Sequence, residues 1–293
     1  MTNVIAYTAI DMINPVVWYG TLTSYDASHI TISDGFHTGT YYGSFTYDIG
    51  GNVYGTLTGY SIWQGITLSV SITGASVNAH DVFLAIQSGN AAAAAMIALA
   101  GNDTIQGSSF ADSLTGHDGA DKIYGNGGGD YIYGGAGLDV LNGSAGADTV
   151  FGDLGNDRIL GGVGADALFG SAGADTLVGG AGSDMLNGGF DSLRDVFKFN
   201  FASESVVGIH HDRIQNFVHG TDKIDLNGID ANTATDGNAA FAFGGTVAAG
   251  YSIWFAAVSG GIVVRGDIDG NTTADFEVFV ASVASVTASD FVL

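Results

Sequence analysis

Residues 98–187 constrain the chain most, because they are ten copies of a nine-residue unit, G-x-x-G-x-D-x-U-x with U aliphatic, joined without insertion. The copies run from ALAGNDTIQ through GHDGADKIY and GSAGADTVF to GGAGSDMLN. Position 6 is aspartate in every copy: Asp103, Asp112, Asp121, Asp130, Asp139, Asp148, Asp157, Asp166, Asp175 and Asp184. Position 8 is Ile, Leu or Val in all ten, from Ile105 to Leu186. Position 4 is glycine except at Phe110, giving Gly101, Gly119, Gly128, Gly137, Gly146, Gly155, Gly164, Gly173 and Gly182; position 1 is glycine except at Ala98. A disordered glycine-rich linker would not hold ten aliphatics and ten aspartates in phase.

The spacing has a physical reading. Positions 1–6 are expected to turn, with glycine supplying backbone angles that a Cβ forbids. Positions 7–9 are expected to form a short strand whose alternation sends position 8 inward and positions 7 and 9 outward. Two units then complete one coil, so units n and n+2 stack in one parallel sheet about 4.8 Å apart. Stacking brings Asp103 near Asp121 and Asp112 near Asp130. Carboxylates that close repel unless a cation lies between them. Calcium suits the gap, since it takes six to eight oxygens at about 2.3–2.6 Å and glycine turns offer backbone carbonyls. The position-6 aspartates and position-4 glycines are thus the expected ligands. Ten units make at most eight n/n+2 pairs, hence a ceiling of about eight ions. This is the nonapeptide pattern of a calcium-binding parallel β-roll.

Composition agrees. Of 30 acidic residues only Glu204 and Glu277 are Glu, a bias toward turns and oxygen cages rather than helix faces. Zero Cys excludes disulfides and cysteine-based zinc or iron–sulfur sites. The net charge of −23 is spread over the whole chain, and no Lys or Arg precedes Lys122. Nucleic acid and anionic lipid are therefore excluded as partners. No run of 18 apolar residues is present, so no membrane insertion is expected, and MTNVIAYTAIDMINPVVWYG lacks the basic start of a secretory signal peptide.

Before the repeats, HITIS (29–33), TYYGSFTYD (40–48), NVYGTLTGY (52–60) and ITLSVSIT (66–73) alternate as strands, with Gly50-Gly51 as a hairpin signal. Thirteen aromatics precede residue 97, enough for the ladders of a small sheet or for a carbohydrate-stacking surface. Residues 78–97, with the run Ala91–Ile97, read as a helical plug on the first coil.

After Asn187 the register breaks: GGFDSLRDVFKF (188–199) is a last turn with two extra residues, which adds Asp195 to the expected ligands. DVFKFNFASES, DRIQNFVHGTDKIDLNGID (212–230), GDIDGNTTADFEVFV (266–280) and the final SVTASDFVL resemble, in order, the C-terminal domain of serralysin-type metalloproteases, found in the wider RTX group of secreted proteins. The resemblance covers about two thirds of the chain, residues 98–293. It implies a calcium-binding roll, type I secretion machinery as a partner, and an uncleaved export signal in the last 50 or so residues. The protease half is missing: none of the seven His is followed by Glu, so H-E-x-x-H does not occur, and no G-x-S-x-G is present.

Asp267, Asp269 and Asp275 place oxygen ligands like an abbreviated calcium loop, against the alternative of a turn bonded to its own backbone. His210, His211 and His219 read as exposed loop residues. On the roll, outward position 9 of the even units gives Tyr133, Phe151 and Phe169, an aromatic ladder expected either under the C-terminal cap or at a self-association face. The expected fold is all-β: an N-terminal β domain with its plug (1–97), a parallel β-roll (98–195) and a β-rich cap with the secretion signal (196–293). The expected function is that of a secreted, extracellular or cell-surface structural or interaction protein without enzymatic activity. The competing reading is an enzyme or surface-glycan binder with its site in residues 1–97, a region that holds no Glu, Lys or Arg for acid–base work.

Overall fold

The computed structural model describes residues 21–25, 29–33, 37–47, 53–64 and 67–78, for which we give the backbone course, and residues 101–293 apart from 108, 110 and 236. The chain divides into two compact units, Met1–Val140 and Leu141–Leu293.

The first unit opens with five antiparallel strands, β1 (Thr21–Tyr25), β2 (His29–Ser33), β3 (His37–Tyr47), β4 (Val53–Gln64) and β5 (Thr67–Asn78), paired in sequence order. All four strands read from the sequence are present, and β1 adds a fifth. The Gly50-Gly51 turn lies outside the described residues. So does the helical plug beyond Asn78, which itself ends β5. Strand β5 joins β6 (Thr104–Gln106) antiparallel, with Ile72 opposite Ile105. From β6 onward the pairing turns parallel. β6 pairs β8 (Lys122–Tyr124) with Ile105 on Ile123, and β7 (Ser113–Thr115) pairs β9 (Tyr131–Ala136) with Leu114 on Ile132. Strand β10 (Val140–Ala145) follows.

In the second unit the eighteen-residue offset holds as far as β14 and β15 and then widens. One sheet runs β12 (Arg158–Val163), β14 (Thr176–Ala181), β16 (Val196–Lys198), β18 (Lys223–Asp225) and β23 (Phe291–Val292), all parallel. The other stacks β11 (Thr149–Leu154), β13 (Ala167–Ser171), β15 (Met185–Gly189) and β17 (Asp212–Gln215), again parallel. It then takes β22 (Phe276–Ala281) onto β17, and β21 (Gly261–Gly266), β20 (Ser252–Val258) and β19 (Ala242–Phe243) beyond it. The cap therefore adds strands at the edge of the sheet. The position-8 column carries on into it: Leu186 pairs Ile214, and Ile214 pairs Val280.

The core is that column. The position-8 side chains from Ile105 to Leu186 are fully buried in all ten units, and Phe197, Ile214 and Ile224 extend them. Two residues outward, Phe151 and Phe169 stack at 4.7 Å with their planes 9° apart, both half-buried. In the central units the strands are six residues long rather than three, as in β11, β12 and β14. Positions 1–3 keep strand pairing because only position 2 is kinked. His117, Asn126, Ser144, Asp153 and Ser171 all stand there with φ between 69° and 78°, and Gly162 stands there at 113°.

Two outcomes test this account. Leu168→Ala removes a side chain with no room to collapse and should cost about 3 kcal/mol in urea unfolding at saturating calcium. Ser144→Gly relieves a left-handed conformation that L side chains resist, so it should raise stability by up to about 1 kcal/mol.

Candidate metal centre

The turns hold a ladder of aspartates. The backbone N–H of each position-6 Asp donates to Oδ1 of the Asp one coil on: Asp103 to Asp121 at 2.7 Å, Asp112 to Asp130 at 2.8 Å, and Asp121 to Asp139 at 2.8 Å. In the second unit Asp148 donates to Asp166, Asp157 to Asp175, and Asp166 to Asp184, at 2.8–2.9 Å. One oxygen of Asp121, Asp166, Asp175 and Asp184 is thus committed to the backbone. The other is not: Oδ2 of Asp121, Asp166, Asp175 and Asp184, and both oxygens of Asp103, are buried with no hydrogen-bond partner.

Those oxygens face a cradle above the position-1 glycine of their own unit. A methyl group built on Gly107 would lie 2.8 Å from Asp112 Oδ2 and 2.6 Å from the carbonyl oxygen of Gly125. On Gly152 it would lie 2.5 Å from Asp157 Oδ2 and 2.7 Å from the carbonyl of Gly170. Each cradle therefore gathers a carboxylate oxygen and a carbonyl oxygen from successive coils. Such hard, anionic oxygens gathered above a glycine fit calcium. The position-6 carboxylates would hold it and the turn carbonyls would complete its shell.

The position-4 glycines of the sequence reading have a second duty. Gly119 and Gly164 have φ of +146° and +148°, and each packs its Cα against the carbonyl of the position-4 glycine one coil earlier, Gly101 and Gly146. A Cβ there would collide with backbone. The position-1 carbonyls beside the cradles were not singled out by the sequence, although nine glycines in ten at that position are their signal.

Burial raises the carboxylates' proton affinity. It pushes Asp103 up to about 7, with Asp121 adding repulsion. Asp166 and Asp195 also stand at about 7, and Asp121, Asp175 and Asp184 at about 6. In these five, burial outweighs the lowering by a backbone N–H.

The ladder also outruns the repeats. Asp175 N–H donates to Asp195 Oδ1, Asp184 to Asp212 and Asp195 to Asp222, at 2.9–3.0 Å. Asp195 was expected; Asp212 and Asp222 were not. Their signal is the D-x-U triplet, Asp212-Arg-Ile and Asp222-Lys-Ile, displaced from the nine-residue period. The ladder closes at Asp222, whose Oδ2 accepts the N–H of Val218 at 2.7 Å.

Asp267, Asp269 and Asp275 do come together, with ligand oxygens within 4.8 Å of one another. Their oxygens also accept local N–H groups. Asp267 Oδ1 takes Gly270 at 2.6 Å, Asp269 Oδ1 takes Asn271 at 3.0 Å, and Asp275 Oδ2 takes Ile268 at 2.8 Å. The three histidines do not converge. His211 bonds the Gly208 carbonyl, and His219 lies 2.9 Å from Asp290.

The family described as RTX calcium-binding nonapeptide repeat (4 copies) matches residues 97–132, 124–159 and 160–192. This stretch is an RTX calcium-binding repeat array. No curated protein matches the chain. Two solved structures are similar, both subunits of the Azotobacter vinelandii mannuronan C5-epimerase. AlgE6R3 is 28% identical over 54% of this chain and 80% of its own, with a TM-score of 0.38. AlgE6R2 is 23% identical over 53% of this chain and 88% of its own, with a TM-score of 0.35. Among the described residues no helix is long and apolar enough to cross a membrane.

A pH dependence follows from the raised carboxylates. In chelator, the folded roll binds protons more tightly than the unfolded chain, whose aspartates titrate near 3.9. Its stability should be highest at or below about pH 4 and fall as pH rises through about 7. Calcium affinity should rise over the same window, because the ligands must lose their protons. Urea melts and calcium titrations between pH 4 and 8 check both directions. Gly152→Ala fills one cradle and should remove one ion from the stoichiometry measured by calorimetry.

Proposed function

We propose that the chain is a secreted structural or interaction protein without enzymatic activity, whose β-roll folds when it meets extracellular calcium after export by a type I system. The observation that carries this reading is the set of buried carboxylate oxygens without hydrogen-bond partners, Oδ2 of Asp121, Asp166, Asp175 and Asp184 and both oxygens of Asp103. Each is costly to bury as an anion. The uncompensated ladder penalises the folded roll at neutral pH, and calcium binding to the folded state alone reverses the penalty. At low cytosolic calcium the chain then stays unfolded and able to thread an export channel. The ions number about eight in the regular array, one for each n/n+2 pair.

Export through the C-terminal end rests on the resemblance of residues 188–293 to the serralysin C-terminal domain. The absence of catalytic activity rests on the missing protease and hydrolase motifs.

Two experiments test the reading. Circular dichroism should show little β structure in EGTA and full β content with calcium; a spectrum unchanged by EGTA would sink coupled folding. In cells carrying a type I exporter, a chain lacking residues 244–293 should stay inside. Its undiminished appearance in the medium would overturn the export route.

A further inference from the structure

The last carboxylate of the aspartate ladder shapes a turn. Asp222 Oδ1 accepts the Asp195 N–H at 3.0 Å, and its Oδ2 accepts the Val218 N–H at 2.7 Å. The N–H groups of Thr221 and Asp222 return to the Val218 carbonyl, each at 3.0 Å. Lys223 N–H donates to the Asp195 carbonyl at 2.9 Å. The turn Val218–Asp222 is therefore tied to the stacked coils through Asp195, and it has this shape only where the coils are stacked.

That turn holds residues 286–293. Gly220, with φ of +85°, donates its N–H to Asp290 Oδ1 at 2.8 Å, and His219 Nδ1 lies 2.9 Å from Asp290 Oδ2. The same Oδ2 accepts the N–H of Thr287 at 2.6 Å and its hydroxyl at 3.0 Å. Asp290 is 0% exposed, yet donors serve both of its oxygens. Beside the turn, Lys223 Nζ donates to the Ser289 carbonyl at 2.6 Å. Strand β23 then lies parallel on β18, with Ile224 opposite Phe291 and Asp225 opposite Val292. The Leu226 N–H closes this pairing on the Val292 carbonyl at 2.9 Å. Val286 and Phe291 are buried, the latter with its ring 5.6 Å from that of Phe243. Residues 219–226 thus form a receptor for the final segment. They offer donors for one buried carboxylate, an ammonium for one carbonyl, and a strand edge for two residues, which is recognition by strand addition.

We propose that the folded roll captures residues 286–293 and so withdraws them from the exporter, leaving the segment readable only in the calcium-free, unfolded chain. The inference rests on the export reading above and adds to it a reason why folding and exporter recognition exclude each other. A partner that reads this segment needs its backbone and side chains free. In the folded chain β18 already takes the backbone of Phe291 and Val292, and the turn takes the carboxylate of Asp290.

Hydrogen–deuterium exchange of the full chain, read by mass spectrometry, tests the capture. The peptide covering 286–293 should exchange about tenfold or more slowly in calcium than in EGTA, because exchange then requires local opening. Circular dichroism of the same samples separates two failures. Gained β content with an unprotected peptide overturns the proposal, whereas no gain of β content is a failure of calcium-driven folding. Asp290→Ala in calcium should lose the protection of 286–293 while the repeat peptides stay protected; protection equal to wild type overturns the proposal. Should Asp290→Ala fail to fold, Lys223→Met replaces it. That change removes the bond to the Ser289 carbonyl and should speed exchange of 286–293 by about threefold or more; an unchanged rate overturns the proposal. Membrane vesicles carrying a type I exporter supply the second readout. They should retain wild type in EGTA but not in calcium, and Asp290→Ala in both. Retention of calcium-loaded wild type overturns the proposal. Retention of neither chain in EGTA is a failure of the export route, seen apart from the capture that exchange decides.

Discussion

Everything in the roll depends on one hydrogen bond, made again at each coil: a position-6 N–H to the carboxylate of the aspartate one coil on. It fixes the side chain, satisfies a turn donor, and points the second oxygen at a glycine where no side chain stands. The stacking that buries the position-8 aliphatics also buries those oxygens, so hydrophobic gain and electrostatic cost grow together with each added coil. Neither term can be tuned alone. The cation is what separates them, and this is why a sequence so rich in glycine and aspartate encodes an ordered core.

The periodic part of this arrangement was legible in the sequence because a repeat multiplies each weak signal. One Asp in a glycine turn says little; ten in phase with ten buried aliphatics leave few alternatives. The strand lengths were misjudged, since the six leading residues were all assigned to turns. Within positions 1–3 the backbone kinks at position 2, where His117, Asn126, Ser144, Asp153 and Ser171 stand in the left-handed region without being glycine. Only stacked neighbours reveal that angle.

The candidate ligands followed the same rule. The fold stacks the position-6 aspartates of the nine-residue period, and Asp195, across a short insertion, joins the same ladder. Asp212 and Asp222 were not legible, because spacings of 28 and 27 residues hide the D-x-U triplet from any periodic search. The division of the Asp121, Asp166, Asp175 and Asp184 carboxylates into a bonded and an unbonded oxygen is likewise a property of geometry and not of composition.

The junction of β5 with β6 has a bearing beyond the first coil. A stack of equivalent parallel coils has no natural end. Its terminal strand offers the same unpaired row that recruited the previous one, and in principle a second chain could extend it without limit. Reversing strand direction at the junction breaks that equivalence, since what lies beyond β6 is no longer a surface another coil can continue. In the second unit, the antiparallel pairing of β21 on β22 does the same for the sheet that passes through β17. Chain reversal thus acts as a length rule, terminating a lattice whose repeat alone carries no count.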